Sequence, residues 1–202
     1  MHIVWRTEMK VLALNGSPRK NGNTAKALSV VCEELERFGI QTEIVQLGGS
    51  NVFGCLHCDA CIRNKNLRCV INDDMNFFIQ KTFESDGIII GSPTYMSNVT
   101  TEVKAYIDRC GYINRANNGQ ILKGKIGAPV VVMARSGGTF TYSAINYFFG
   151  ISEMITTHSN YWNLAIGHDK GEITKDSMGM DTLSTLGKNM AKLMKKIDKV
   201  EI

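Results

Sequence analysis

The sequence predicts an α/β fold: a doubly wound, five-stranded parallel sheet with helices on both faces. Short apolar segments alternate along the chain with longer segments in which apolar residues recur every three or four positions. These are the patterns of buried strands and of amphipathic helices. The chain has 202 residues, a length that suits five such units, whereas a parallel barrel needs eight strands and about 250 residues.

The predicted elements follow one another without a linker, a repeat or a low-complexity segment, so we expect a single domain over residues 1–202. Strands are predicted at residues 11–14, 41–47, 88–90, 130–134 and 155–164. Helices are predicted from apolar stripes within residues 27–38, 75–83, 99–110, 140–149 and 182–200. Gly39 ends the first helix, and Asp73 and Asp74 suit the positive N-terminal end of the second. The element order is that of a flavodoxin-like fold.

Composition excludes several classes of protein. Apolar residues make up 44% and charged residues 21%, and the net charge is 23 − 19 = +4. These values argue against a disordered chain and against a strongly basic nucleic-acid binder. No apolar run approaches the ~18 residues that span a bilayer, and the chain begins without the apolar region of a signal peptide. We therefore expect a cytoplasmic protein without nucleic-acid or membrane partners.

The loop after the first strand has the composition of a phosphate site. It contains glycines, hydroxyl and amide side chains and Arg19, and it opens into a helix N-terminus, where backbone N–H groups bind anions. Its spacing matches neither the Walker A motif nor the dinucleotide fingerprint, so a monophosphate, that of FMN, is the better match. A plain solvated turn is the alternative. The predicted phosphate ligands are Ser17, Arg19, Asn23 and Thr24.

Two further loops should lie at the same edge of the sheet, where ligands of doubly wound folds bind. The first follows the third strand and the second follows the fourth. A flavin ring needs backbone donors and a close backbone approach, which tight turns and glycine permit. Tyr95 is a candidate for stacking on the ring, with local packing as the alternative. The predicted ring-binding residues are Pro93, Thr94, Tyr95, Met96, Ser97, Asn98, Ser136, Gly137 and Gly138.

Residues 48–71 form a cysteine-rich loop of roughly 24 residues, whereas connections in α/β units usually take 2–6. In a reducing compartment, clustered cysteines indicate metal binding or redox chemistry. Cys55, Cys58 and Cys61 have the spacing that wraps an iron–sulfur cubane, and Cys69 follows after seven residues. A [4Fe–4S] cluster on these four residues is predicted; zinc and a redox-active thiol loop are the alternatives. Cys32 and Cys110 lie on apolar helix faces and are predicted core thiols.

Together these segments resemble the iron–sulfur flavoproteins of anaerobes, a branch of the flavodoxin-like NAD(P)H-dependent FMN reductase family. The resemblance rests on residues 15–24, 69–75, 92–96 and 179–182 and on the cysteine motif. It implies an FMN and a [4Fe–4S] cluster in one subunit that passes electrons between ferredoxin-like donors and a small-molecule acceptor. It also implies a homodimer or homotetramer, to which the aromatic segment 140–149 could contribute, unless its rings fill the domain's own core.

Two other functions remain open at this point. The first is an NAD(P)H-dependent FMN or quinone reductase whose cysteine loop holds no cluster. The second is a flavodoxin-like carrier or redox sensor that acts through a partner. Such carriers are usually strongly acidic, and the charge of +4 argues weakly against this class.

Overall fold

The computed structural model describes residues 8–198. Its strands are β1 (Lys10–Asn15), β2 (Gln41–Gln46), β3 (Gly87–Pro93), β4 (Ile126–Met133), β5 (Ile155–Thr156) and β6 (Leu164–Ile166). Its helices are α1 (Asn23–Arg37), α2 (Ala60–Asn64), α3 (Met75–Glu84), α4 (Thr101–Ala116), α5 (Gly138–Ile151) and α6 (Ser177–Ile197), with a short 3₁₀ helix at Glu172–Lys175. No helix within these residues is long and apolar enough to cross a membrane.

All paired strands are parallel, and their order across the sheet is β2-β1-β3-β4-β5, with β6 also pairing with β4. The order reverses at β1 and β3, because the chain first winds outward to β2 and then returns past β1. The predicted doubly wound fold is confirmed. Ligands of such sheets bind at the carboxyl edge beside this switch point, which is where the loops after β1 and β3 begin.

The fifth strand differs from the prediction of one strand at residues 155–164. It consists of two short pieces: β5 pairs with the first half of β4, and β6 pairs with its second half. Residues 157–163 leave the sheet between them.

Pro129 in β4 explains this interruption. Backbone groups of alternate residues of β4 face the place of the fifth strand in the sheet. The carbonyl of Gly127 accepts from Thr157 N (2.8 Å), and the Val131 N–H donates to the carbonyl of Asn163 (3.0 Å). Pro129 lies midway between them in the same alternation and has no N–H to donate. A continuous fifth strand would therefore lack a ladder bond at its centre.

Side chains of the strands alternate between two cores, one on each face of the sheet. Val11 and Ala13 pack against α1 and α6, whereas Leu12 and Leu14 pack against the face covered by α3, α4 and α5. All four side chains are fully buried. The partly buried Cys61 and Cys69 pack against the second of these cores.

Helix α6 begins five residues before its predicted start at residue 182. The reason is an N-cap that the apolar stripe does not reveal: the Asp176 carboxylate accepts from Gly179 N (2.9 Å) and from Ile166 N (2.7 Å). The cap ties the helix start to β6. The helix ends at Ile197, and residues 199–200 of the predicted span lie outside the described residues.

Candidate functional site

The loop after β1 is shaped by side chains at the ends of β1 and β2. The Asn15 amide donates to Gln46 Oε1 (2.8 Å) and its Oδ1 accepts from Ser17 N (3.2 Å). The Gln46 amide donates in turn to the carbonyl oxygens of Ser17 (2.6 Å) and Gly48 (2.5 Å). Sequence reasoning missed Gln46, because an exposed-looking glutamine at a strand end gives no signal of this role.

Two glycines allow the backbone to approach this loop closely. Gly16 N donates to the carbonyl of Gly91 (2.7 Å), and a Cβ at Gly16 would overlap the side chain of Val103. A Cβ at Gly48 would overlap the backbone of Ser17. The Thr100 hydroxyl also donates to the carbonyl of Gly16 (2.9 Å). Only glycine at these two positions leaves the space within the loop open. An anion site at a helix N-terminus requires such a close backbone approach.

The structure brings the predicted phosphate ligands together at one cavity of about 180 Å³. Ser17 and Thr24 are buried at its wall, and Arg19 is exposed at its rim. The cavity is lined by Ser17, Arg19, Asn23, Thr24, Pro93, Thr94, Tyr95, Val132, Ala134, Gly167 and His168. The last four were missed by sequence reasoning. Gly167 and His168 follow β6, so a correct assignment of the interrupted fifth strand would have pointed to them.

Asn23 makes contacts that the sequence did not predict. Its Nδ2 donates to the carbonyl of Asp169 (2.9 Å), and its Oδ1 accepts from Gly171 N (2.8 Å). Both ends of the amide therefore hold the loop after β6 against the start of α1. Asn23 shapes the wall of the cavity through this loop.

The two predicted ring-binding loops contact each other. Residues Tyr95 and Asn98 exchange backbone hydrogen bonds of 2.9 Å around a two-residue turn, in which Met96 and Ser97 have φ of 47° and 59°. Gly137 has φ of +81°, and a Cβ there would lie 2.5 Å from the Ser97 Oγ. Left-handed backbone at non-glycine residues is a strain that concentrates at ligand sites. The Met96 side chain is 99% exposed at the tip of this turn.

A second cavity is lined by the four clustered cysteines. Cys55 and Cys58 are exposed, whereas Cys61 and Cys69 are partly buried. The lining is completed by the residues between Cys55 and Cys61 and by Val70, Ile71, Arg109, Tyr112 and Ile113. None of these residues lines the cavity beside the phosphate loop. The two sites are connected by α4, which contacts the phosphate loop at Thr100 and the cysteines from Arg109, about 13 Å further along at 1.5 Å per residue.

Asp73 and Arg109 form a buried ion pair at the base of the cysteine-rich loop. The guanidinium donates to both carboxylate oxygens (2.5 and 2.9 Å), and the two side chains are 0% and 1% exposed. Burial opposes ionisation of both groups, yet the Arg109 guanidinium and backbone N–H donors keep the pKa of Asp73 below its usual value. Asp73 and the neighbouring Cys69 thiol likewise raise the pKa of Arg109. The predicted role of Asp73 at a helix N-terminus is therefore secondary to this pairing.

Cys32 and Cys110 lie apart from this cavity, as predicted. They are 3% and 0% exposed in the two cores. Burial raises the pKa of each thiol to about 12, so both stay protonated at neutral pH. A protonated buried thiol is a poor metal ligand.

The donor set of the cysteine cavity suits iron–sulfur chemistry. Within residues 8–198, no three His, Cys, Asp or Glu side chains converge on a position for a single metal ion. The four thiols of a cubane each bind a different iron atom, so they surround a cavity rather than meet at one point. The Arg109 end of the buried ion pair also belongs to the lining of this cavity.

The fold and its first site define the class of protein: a flavodoxin-like α/β protein with a glycine-containing backbone cradle after β1. A family model described as NADPH-dependent FMN reductase matches residues 9–169, and the chain belongs to this family. As a member, it is an FMN-dependent oxidoreductase. A flavodoxin from the domain Archaea has the same fold, with a TM-score of 0.60 at 15% identity over 93% of this chain and 99% of that chain.

Two relatives place the chain in one branch of the family. It is 35% identical to an iron–sulfur flavoprotein of Methanocaldococcus jannaschii, covering 95% of this chain and 100% of the relative. It is 34% identical to the iron–sulfur flavoprotein of Methanosarcina thermophila, covering 95% and 98%. The predicted resemblance to the iron–sulfur flavoprotein branch is thereby confirmed.

Proposed function

We propose that this oxidoreductase carries a [4Fe–4S] cluster beside its FMN and passes electrons between a ferredoxin-like donor and a small-molecule acceptor. The cluster ligands are Cys55, Cys58, Cys61 and Cys69. The observation that carries the proposal is the grouping of the thiols: these four line one cavity, while the other two cysteines are buried in the cores. The relatives named as iron–sulfur flavoproteins support it.

The FMN phosphate is assigned to the cradle after β1, where Ser17, Arg19, Asn23 and Thr24 surround the N-terminus of α1. Residues 9–32 contain four cations and no acid, which favours an anion at this position. Asn23 contributes by holding the loop after β6 in place. The ring is assigned to residues 93–98 and 136–138, whose two turns contact each other beside the same cavity.

The two groups divide the chemistry. A flavin exchanges two electrons and a cluster one, so a protein that holds both couples two-electron to one-electron reactions. The protein's own residues bind and orient the two groups: the cradle after β1 fixes the phosphate, and the second core excludes water from the Cys61 and Cys69 side of the cysteine cavity.

The surface around the cysteines favours an acidic donor. Arg63, Lys65, Arg68 and Arg115 are exposed there, and none of them forms an ion pair within residues 8–198. Unpaired surface cations attract and orient an acidic partner such as a ferredoxin-like protein. We assign the protein to the cytoplasm, where free thiols persist, and expect neither nucleic-acid nor membrane partners.

The test is the metal content of anaerobically purified protein. We expect four iron atoms and four sulfides per chain, together with one FMN. Serine at any of Cys55, Cys58, Cys61 or Cys69 should deplete iron and sulfide and leave FMN bound, because the phosphate cradle is a separate part of the molecule. Cys32→Ser and Cys110→Ser are the matched controls and should keep both iron and FMN. One tightly bound zinc without sulfide would overturn the cluster assignment.

A second candidate function is NAD(P)H-dependent reduction of FMN or a quinone without a cluster, and the family description, NADPH-dependent FMN reductase, supports its first part. Stopped-flow mixing of the FMN protein with NADPH distinguishes the two. Flavin reduction at a rate that matches turnover, in protein free of iron, would support the second function over the first.

A further inference from the structure

Arg109 is held in one orientation by the base of the cysteine-rich loop. Its Nη1 donates to Asp73 Oδ2 (2.5 Å) and to the carbonyl of Phe53 (3.0 Å), and its Nη2 donates to Asp73 Oδ1 (2.9 Å). Asp73 also accepts from Phe53 N (2.8 Å) and Met75 N (3.1 Å). The carboxylate is thereby fixed from three sides, so the guanidinium that it binds bidentately cannot rotate freely.

The Nε–H of Arg109 is one of the two N–H groups that these three hydrogen bonds leave over. Its Nε is buried and makes no hydrogen bond within residues 8–198. The Arg109 side chain is 1% exposed and lines the cavity together with all four clustered cysteines, with Cys69 as its neighbour. Buried donors of native proteins are almost always paired, and a charged donor is especially costly to leave unpaired. An acceptor on the cavity side is therefore expected.

We propose that Arg109 is a positioning residue that raises the reduction potential of the cluster bound by the four cysteines. Arg109 lines the cavity and Asp73 does not, so the positive end of this ion pair and the Nε–H both favour the reduced cluster, which carries one more negative charge than the oxidised one. Charge and hydrogen bonds near the sulfurs are among the factors that set cluster potentials. Asp73 holds the guanidinium at the cavity wall. This inference rests on the proposed function.

The test is a redox titration, monitored by electron paramagnetic resonance, of anaerobically reconstituted protein. Arg109→Lys keeps the charge but lacks the Nε donor. The double variant Arg109→Gln with Asp73→Asn removes both charges together, so that no carboxylate is left buried without its partner. We expect the double variant to lower the equilibrium constant for one-electron reduction at least tenfold, which corresponds to about 59 mV. Arg109→Lys should shift it in the same direction by less.

Lys192→Gln is the matched control, because it removes one positive charge from an exposed position of α6, which packs on the other face of the sheet, and it should leave the potential unchanged. Iron, sulfide and FMN content report whether each variant is folded and loaded. If the double variant does not bind the cluster, the potential of Arg109→Lys alone tests the inference. Variants that bind the cluster and keep the wild-type potential would overturn the inference, as would an equal shift in Lys192→Gln. Wild-type protein without iron and sulfide would instead overturn the proposed function itself.

Discussion

Gly137 combines two constraints at one residue. Its φ of +81° lies in the left-handed region, and a Cβ at this position would lie 2.5 Å from the Ser97 Oγ. The first constraint concerns only the local backbone, whereas the second links the loop after β4 to the turn after β3. Gly119 has nearly the same φ, +69°, with no atom within 4 Å of a Cβ, so the two constraints can be separated experimentally.

Gly137→Ala should lower both stability and FMN affinity, the latter by about tenfold, or about 1.4 kcal/mol, because the turn at Ser97 must move. Gly119→Ala should cost about 1–2 kcal/mol of left-handed strain and leave FMN affinity unchanged. Fluorescence titration with FMN and urea unfolding measure the two effects. Equal FMN affinity in both variants would remove residues 136–138 from the ring site.

Arg19 and Thr24 carry the phosphate assignment. Hydrogen bonds to charged groups are worth about 1.5–3 kcal/mol, so Arg19→Ala and Thr24→Ala should each weaken FMN binding by about tenfold or more. Riboflavin, which lacks the phosphate, should bind these variants as it binds the wild type. Lys192→Ala is the control, because Lys192 is exposed on α6 and does not line the cavity. Unchanged FMN affinity in both variants would place the phosphate elsewhere.

At the scale of elements, Glu34 connects α1 to α6. Its Oε1 accepts from the Ser184 hydroxyl and from Arg37, both at 2.8 Å, and its side chain is 8% exposed. A Cβ on Gly187 of α6 would lie 2.7 Å from the Glu34 Cβ, so the helices cross closely here. Burial alone would raise the pKa of Glu34, but Ser184, Arg37 and Lys188 together hold it below its usual value.

The sign of the pH effect follows from this lowered pKa. A carboxylate whose pKa is lower in the folded than in the unfolded chain stabilises the fold at neutral pH, and this contribution is lost as the pH falls through the folded-state value. Glu34→Gln should therefore lower the free energy of unfolding at pH 7 by about 1 kcal/mol. As the pH is lowered below 5, its free energy of unfolding should fall less than that of the wild type. Urea unfolding at several pH values measures this. Glu33→Gln is the control, because Glu33 is the exposed neighbour, and this variant should unfold as the wild type does. If Glu34→Gln also unfolds as the wild type does, the contact between Glu34 and α6 contributes nothing to stability.

At the scale of the whole molecule, the aromatic segment of α5 is divided between the core and the surface. Phe148 and Phe149 are buried in the second core, whereas Phe140, Tyr147 and Ile151 are 69%, 76% and 81% exposed on one helix face. This face borders an apolar groove of about 700 Å³ between α4 and α5. Exposed apolar patches of this kind mark interaction sites, and we propose that a second copy of the chain covers it.

Tyr147→Lys should shift the protein from a homodimer or homotetramer toward smaller species, because a lysine placed on each of two facing copies repels and stays hydrated. Sedimentation velocity over a range of concentrations measures the distribution. Phe77→Lys, at a half-exposed phenylalanine of α3, should leave the assembly unchanged. A monomeric wild type, or a Tyr147→Lys protein that assembles normally, would contradict the proposal.

The sequence alone determined the alternation of the first four strands with the long helices and the position of the loops with special chemistry. Apolar periodicity, turn residues and cysteine spacing are local signals. The patterns in residues 11–14, 15–24 and 55–69 can therefore be interpreted without knowing which distant residues they contact. The doubly wound fold then follows from the parallel sheet. The assignment of phosphate, ring and cluster ligands stays a prediction, although seven of these residues line one cavity and four another.

Only the tertiary structure decided the features that depend on pairs of distant residues. The interruption of the fifth strand depends on Pro129 in its neighbour. The Asp73–Arg109 pair joins positions 36 residues apart, and Asn23 binds a loop nearly 150 residues away. Each residue taken alone is consistent with a surface or helix-end position. Its actual role is set by burial, since a polar group removed from water must find its hydrogen-bond partner wherever the fold brings one within reach.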